Sequence, residues 1–141
     1  MPTAQSTPPQ TGPSIARDLD LLLATEKINY GMAARFVLPA AGILPERTTQ
    51  AEAFASAQER GWLSVQSDEP ATLKGISLLI MQAFDVKGGI MYSIFHSQRY
   101  AYREMVYKQL IQGTTDPDMP VPGEFLIRML GNVVTYTGGA Q

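Results

Sequence analysis

The stretch from Arg99 to Val133 constrains the chain most. Ala101, Tyr102, Met105, Val106 and Leu110 recur at helical spacing, and Gly113-Thr114-Thr115-Asp116-Pro117-Asp118 then supplies residues that favour turns. Pro122 suits the first position of a new helix, because its missing N–H would have no intrahelical partner there. That helix places Phe125, Leu126, Met129, Leu130 and Val133 on its apolar stripe. Two short amphipathic helices joined this way must bury their stripes on each other or on further helices.

The upstream sequence repeats the pattern. Ser14 is positioned as an N-cap for a helix with Ile15, Leu19, Leu22 and Leu23 on one face. A second helix begins at Asn29 or Tyr30, carries Met32, Ala33, Phe36, Val37, Ala40 and Ala41, and is bent or shortened at Pro39. Gly42 followed by Ile43 predicts a left-handed stop with an apolar residue folding back on the helix. Thr49 and Glu52 have capping-box spacing for a third helix, which Gly61 ends. Leu73, Ile76, Leu79, Ile80, Ala83 and Phe84, with Leu78 and Met81, predict a central helix apolar nearly all round. Asp85 to Gly89 end it, and Ile90 to Phe95 form a short apolar segment whose type the pattern leaves open, with helix preferred because Ser97 is placed to cap the next element. Sustained period-two alternation is missing, so the expected class is all-α: a compact array of about six to seven helices in helix-loop-helix units.

At 141 residues the chain has room for one domain. We expect a Pro/Ser/Thr/Gln-rich tether over residues 1–13, a helical domain over 14–134 and a frayed tail over 135–141 that includes Gly138-Gly139. Such a tether often follows the cleavage site of an exported or lipid-anchored bacterial protein. A net charge of −2 gives nucleic acid no electrostatic reason to bind. With no cysteine and one histidine, thiol chemistry and multi-imidazole metal sites are excluded. No apolar run approaches the roughly 20 residues of a membrane-spanning helix.

Three connections can be aligned. Ala40-Ala41-Gly42-Ile43-Leu44 precedes Thr49-Gln50-Ala51-Glu52, Arg60-Gly61-Trp62-Leu63 precedes Thr72-Leu73-Lys74-Gly75, and Leu110-Ile111 precedes Val121-Pro122-Gly123-Glu124. Each reads as helix, apolar stop, loop and capped restart. From Tyr30 to Val133 the pattern resembles S-layer homology repeats in degenerate form. In that family a helix ending Gly-Ile-Ile precedes a Gly/Pro/Asp-rich loop and a helix opening Thr-Arg-Ala-Glu-Phe. The resemblance implies an envelope location. The Arg that helps bind anionic wall polymer in the family is replaced here by Gln50, Leu73 and Pro122, and the first two loops are shorter, so the polymer site is not implied.

Candidate chemistry is sparse. His96 sits at an element boundary and reads as a cap or surface residue, Trp62 as the apolar contact after a helix stop, and Gly88-Gly89 as a helix stop outside any phosphate-loop fingerprint. Asp116 and Asp118, with Glu124 following, offer carboxylates to a calcium ion, yet Asp and Pro are also ordinary turn residues, and we assign no metal. Arg99, Arg103 and Tyr107, at offsets 0, 4 and 8, line an outer stripe able to stack on sugars or engage a partner, whereas Tyr102 should pack inward.

The sequence therefore predicts a noncatalytic, cofactor-free module of the periplasm or cell envelope. It would dock a protein or cell-wall glycan through Arg99, Arg103, Tyr107, Asp116 and Asp118. The competing expectations are an enzyme using Glu52 or Glu124 between hairpins, and a structural oligomerisation domain.

Overall fold

The computed structural model describes residues 15–113 and 115–139, so the expected tether, the Ser14 cap and the last two residues fall outside it. Seven helices follow in order: α1 (Ile15–Leu23), α2 (Tyr30–Ala40), α3 (Gln50–Glu59), α4 (Leu73–Ala83), α5 (Ile90–Phe95), α6 (Gln98–Tyr107) and α7 (Gly123–Gly139). Among the described residues there is no strand, and the fold is all-α as expected.

Local chemistry explains most of the starts. Asn29 Oδ1 accepts from the Met32 amide at 2.8 Å, Thr72 Oγ1 from Gly75 at 3.2 Å and Ser97 Oγ from Tyr100 at 3.3 Å. Thr49 and Glu52 form the reciprocal capping box: Thr49 Oγ1 accepts from the Glu52 amide at 3.1 Å, and Glu52 Oε1 accepts from the Thr49 amide at 2.9 Å.

The stops share one wiring. Gly42 N–H donates to the Pro39 carbonyl and Ile43 N–H to that of Leu38, both at 3.0 Å, and Gly61 with Trp62 repeats the pair at 2.9 Å. Both glycines have positive φ, +79° and +77°, where a side chain would strain the backbone. In α4 and α6 the same turn is made by Asp85 and Gln109, at φ 52° and 63°. Val86 N–H then reaches the Met81 carbonyl at 2.9 Å and Leu110 N–H that of Met105 at 2.8 Å.

The helices pair as α2 with α3, α4 with α6, and α1 with α7, so the first helix closes against the last. Of the three aligned connections, the first lies inside the α2/α3 pair, whereas the other two run between pairs.

The segments leading into α2, α4 and α7 meet at one junction. Tyr30 N–H donates to the Glu69 carbonyl (3.1 Å), Leu73 N–H to that of Met119 (3.0 Å) and Gly123 N–H to that of Thr25 (2.9 Å). Deeper in, Ile28 N–H reaches the Val121 carbonyl and Ala71 N–H that of Ile28, both at 3.0 Å. Ile28, Ala71 and Val121 are buried there, so these bonds satisfy amides and carbonyls that water does not reach. Leu38, Leu79, Ile80, Leu126 and Met129 are among the fully buried side chains of the one core cluster.

Four sequence expectations are corrected. Leu23 is 48 % exposed, because α1 turns Leu22 toward α7, where the Leu22 carbonyl lies so close to Gly123 that a β-carbon there would collide with it. Val106 is 41 % exposed, because Ala101 and Met105 already fill the face of α6 toward α4. Pro122 stands just before α7, its carbonyl accepting from the Leu126 amide at 3.1 Å. The region from 135 to 139 continues α7 as helix instead of fraying, with Thr137 Oγ1 bonded back to the Val133 carbonyl at 3.0 Å.

Candidate functional site

The loop from Thr115 to Asp118 is held from two sides. Tyr102 OH shares a 2.6 Å bond with Thr115 Oγ1 and lies 3.2 Å from the Thr115 carbonyl, which ties the loop to α6. Lys74 N–H donates to the Pro117 carbonyl at 2.9 Å and Lys74 Nζ to Asp118 Oδ1 at 2.6 Å, which ties it to α4. Between these fixed elements lies an open groove of about 360 Å³, lined by Lys74, Arg99, Tyr102, Arg103, Pro117 and Asp118.

The groove brings together three of the five residues singled out from the sequence: Arg99, Arg103 and Asp118. Tyr107 is not among them; it sits at the end of α6, 83 % exposed. Asp116 instead shapes the turn, its Oδ1 accepting from the Asp118 amide at 2.8 Å and its carbonyl from the Met119 amide at 3.0 Å. Lys74 was missed because it lies on a different helix; its side chain is 35 % exposed and already engaged with Asp118. Arg99 and Arg103 make no ion pair among the described residues, and Arg103 lies over the Tyr100 ring at 6.0 Å.

Arg103 also borders a second, smaller depression of about 250 Å³ with Ile90, Met91 and Tyr100. There α5 turns its apolar side chains outward: Ile90, Met91, Ile94 and Phe95 are 77, 45, 64 and 58 % exposed. Only Tyr92 of α5 is buried. Phe95 stacks on Tyr100 with ring centroids 5.9 Å apart, so the apolar patch and the cationic groove are continuous through Tyr100 and Arg103. Contiguous exposed apolar surface beside charge is the usual composition of a protein-binding face.

His96 and Trp62, read separately as caps, line one cavity of about 340 Å³ with Tyr92, Asp85 and Lys87. His96 does terminate α5, in the left-handed region at φ 47° with its N–H on the Tyr92 carbonyl at 2.8 Å, and its ring meets Tyr92 edge-on at 4.9 Å. Burial, with a lesser contribution from the Asp85 charge, pushes the Tyr92 hydroxyl above its ordinary range.

The two glutamates of the enzyme expectation have other engagements. Glu52 is exposed, and its bonds to the Thr49 amide and hydroxyl hold its carboxyl below the usual range. Glu124 is exposed and lies 3.4 Å from Arg128 along α7. Asp116, Asp118 and Glu124 do not form a cation cage; among the described residues no three carboxylate or imidazole groups converge. No helix in the described residues is long and apolar enough to cross a membrane.

Comparison with known protein families, curated proteins and solved structures returns no match to this chain.

Proposed function

We propose that this chain is a noncatalytic docking module of the bacterial cell envelope. It holds an acidic, partly apolar segment of a protein partner in the groove between α4, α6 and the Thr115–Asp118 loop. One observation carries the reading: Lys74, Arg99 and Arg103 surround the groove with Asp118 as the single lining carboxylate, leaving it two charges positive on a chain of net charge −2. Such focusing selects acidic groups and speeds their encounter.

The apolar α5 surface beside Arg103 favours a protein segment over a glycan, because sugars would leave Ile90, Ile94 and Phe95 uncovered by matching apolar groups. The S-layer homology resemblance supports the envelope location. The lack of that family's arginine at Gln50, Leu73 and Pro122 argues against its polymer as the ligand.

The test pairs crosslinking in envelope extract with co-sedimentation on purified cell wall, each with native protein and with the Arg99→Glu, Arg103→Glu double variant. A discrete protein adduct, weakened by salt and lost on charge reversal, is expected. Sedimentation with protein-free wall would reassign the groove to glycan, and no capture in either assay would count against a docking role.

A further inference from the structure

The groove between α4, α6 and the Thr115–Asp118 loop shares one wall, Arg103, with the depression beside α5. At about 100° per residue around α6, Arg99, Tyr102 and Arg103 point to the groove side, and Tyr100, Arg103 and Glu104 to the depression side. The centres of these two sets lie roughly a quarter turn apart. On a helix about 10–12 Å across with its side chains, that separates the two sites by about 8–9 Å. Arg103 is exposed, with its guanidinium carbon 6.0 Å from the Tyr100 ring centre, and forms the ridge between them.

The two sites differ in charge. In the groove Lys74, Arg99 and Arg103 outnumber Asp118. In the depression Arg103 is offset by Glu104, whose Oε2 lies against Gly89, where a β-carbon would sit only 2.9 Å from it. Ile90 and Met91, 77 and 45 % exposed, supply apolar wall there together with the Tyr100 ring. An acidic side chain is therefore favoured in the groove and disfavoured in the depression, whose volume of about 250 Å³ suits one bulky apolar side chain.

We infer that the docked segment is extended and two-pronged: an acidic side chain enters the groove, a bulky apolar side chain two positions away enters the depression, and the backbone crosses α6 over Arg103. The inference rests on the docking role proposed above and adds the arrangement of the motif that fits it. In an extended chain residues i and i+2 point to the same face about 6.6–6.8 Å apart, and their side chains splay over the remaining distance. Residues i and i+1 point to opposite faces, and i+4 lies about 13 Å away. The nearest same-face side chains of a helical ligand have β-carbons about 5–6 Å apart, short of the span.

Fluorescence anisotropy of the full chain with labelled synthetic peptides reads the arrangement. The peptides carry one Asp and one Phe in a Gly/Ser background, adjacent or separated by one, two or three residues, in both orders, with controls in which Asn replaces Asp or Ser replaces Phe. The better of the two orders with a single intervening residue should bind about tenfold more tightly than any other spacing. Replacing its Phe should cost about tenfold on native protein and little on Ile90→Ser, which changes only an exposed side chain. Replacing its Asp should cost about two- to fivefold on native protein and nothing on the Arg99→Glu, Arg103→Glu double variant. Equal affinity at all spacings, or a Phe cost that Ile90→Ser leaves undiminished, overturns the two-pronged arrangement; if such binding is still lost on charge reversal, the groove stands as the docking site. Binding that survives charge reversal overturns both readings. Absence of binding by every peptide overturns the arrangement, and the docking role then stands or falls by the envelope crosslink.

Discussion

The α2/α3 and α4/α6 pairs are built from the same parts and put to different use. Both begin with a capped, almost fully buried helix, and both end their helices with the same crossed amide bonds. In α2/α3 the stops are glycines and the connection closes on the Thr49 capping box, so local strain is low. In α4/α6 the stops are Asp85, His96 and Gln109, all at positive φ, and the connection carries α5 with its apolar side chains facing solvent. A left-handed non-glycine residue costs about 1–2 kcal/mol, and the exposed Ile side chains of α5 gain little for the isolated fold. The stops of one pair are unstrained, whereas the other pair carries left-handed non-glycine stops and an exposed apolar helix, the features on which the proposed docking role rests.

The largest effects should come from the core, and both pairs should share them. Leu38→Ala and Leu79→Ala remove fully buried side chains, and each should lower unfolding free energy by about 2–5 kcal/mol in urea denaturation. Ile94→Ser and Phe95→Ser should instead fall within about 0.5 kcal/mol of the native value. A loss near the core value at Ile94 or Phe95 would make α5 part of the structural core and break the comparison.

Caps come next. Thr49→Ala and Ser97→Ala should each cost about 0.5–2 kcal/mol by the same assay. The two differ in pH response. Glu52 has a folded-state value held below its unfolded one, so its contribution is fully present above the unfolded glutamate value of about 4.3 and is lost as pH falls through the lower folded value. Stability should therefore decline on acidification below about pH 4.3 by a component that Glu52→Gln removes, Thr49→Ala only reduces because the Thr49 amide bond remains, and Ser97→Ala retains. If Glu52→Gln retains it, the dependence arises elsewhere.

The smallest effect is at the stops. Gln109→Gly should relieve left-handed strain but adds unfolded-state entropy, for a net gain of about 0.5 kcal/mol by thermal melts. Gly61→Gln, the reverse exchange in the other pair, should destabilise by about 1 kcal/mol.

What could be read from the sequence was what is decided within a few residues. The caps at Asn29, Thr49 and Ser97 and the stops at Gly42 and Gly61 follow from local hydrogen bonding, and helical spacing named most of the core. Pairing across the chain was not legible. Nothing near Ile15 says that α1 closes against α7, so Leu23 was placed inside. Lys74 and Asp118 meet only because the junction brings the Thr115–Asp118 loop to the start of α4. His96 and Trp62 each read as a cap, and only the fold puts both on one cavity. Arg35 of α2, buried with its Nε on Asp18 at 3.0 Å, did leave a signal, a lone charge in an apolar helix, but periodicity alone treats it as a solvent-facing position.

The central claim is that the α4/α6 pair carries the docking surface, and photo-crosslinking from single sites tests it most directly. A photoreactive residue replacing Ile94 on α5 should give a discrete protein adduct in envelope extract that disappears with Arg99→Glu and Arg103→Glu. The same residue replacing the exposed Ala55 on α3 should give none. Identical adducts from both sites, or none from Ile94, would contradict the account.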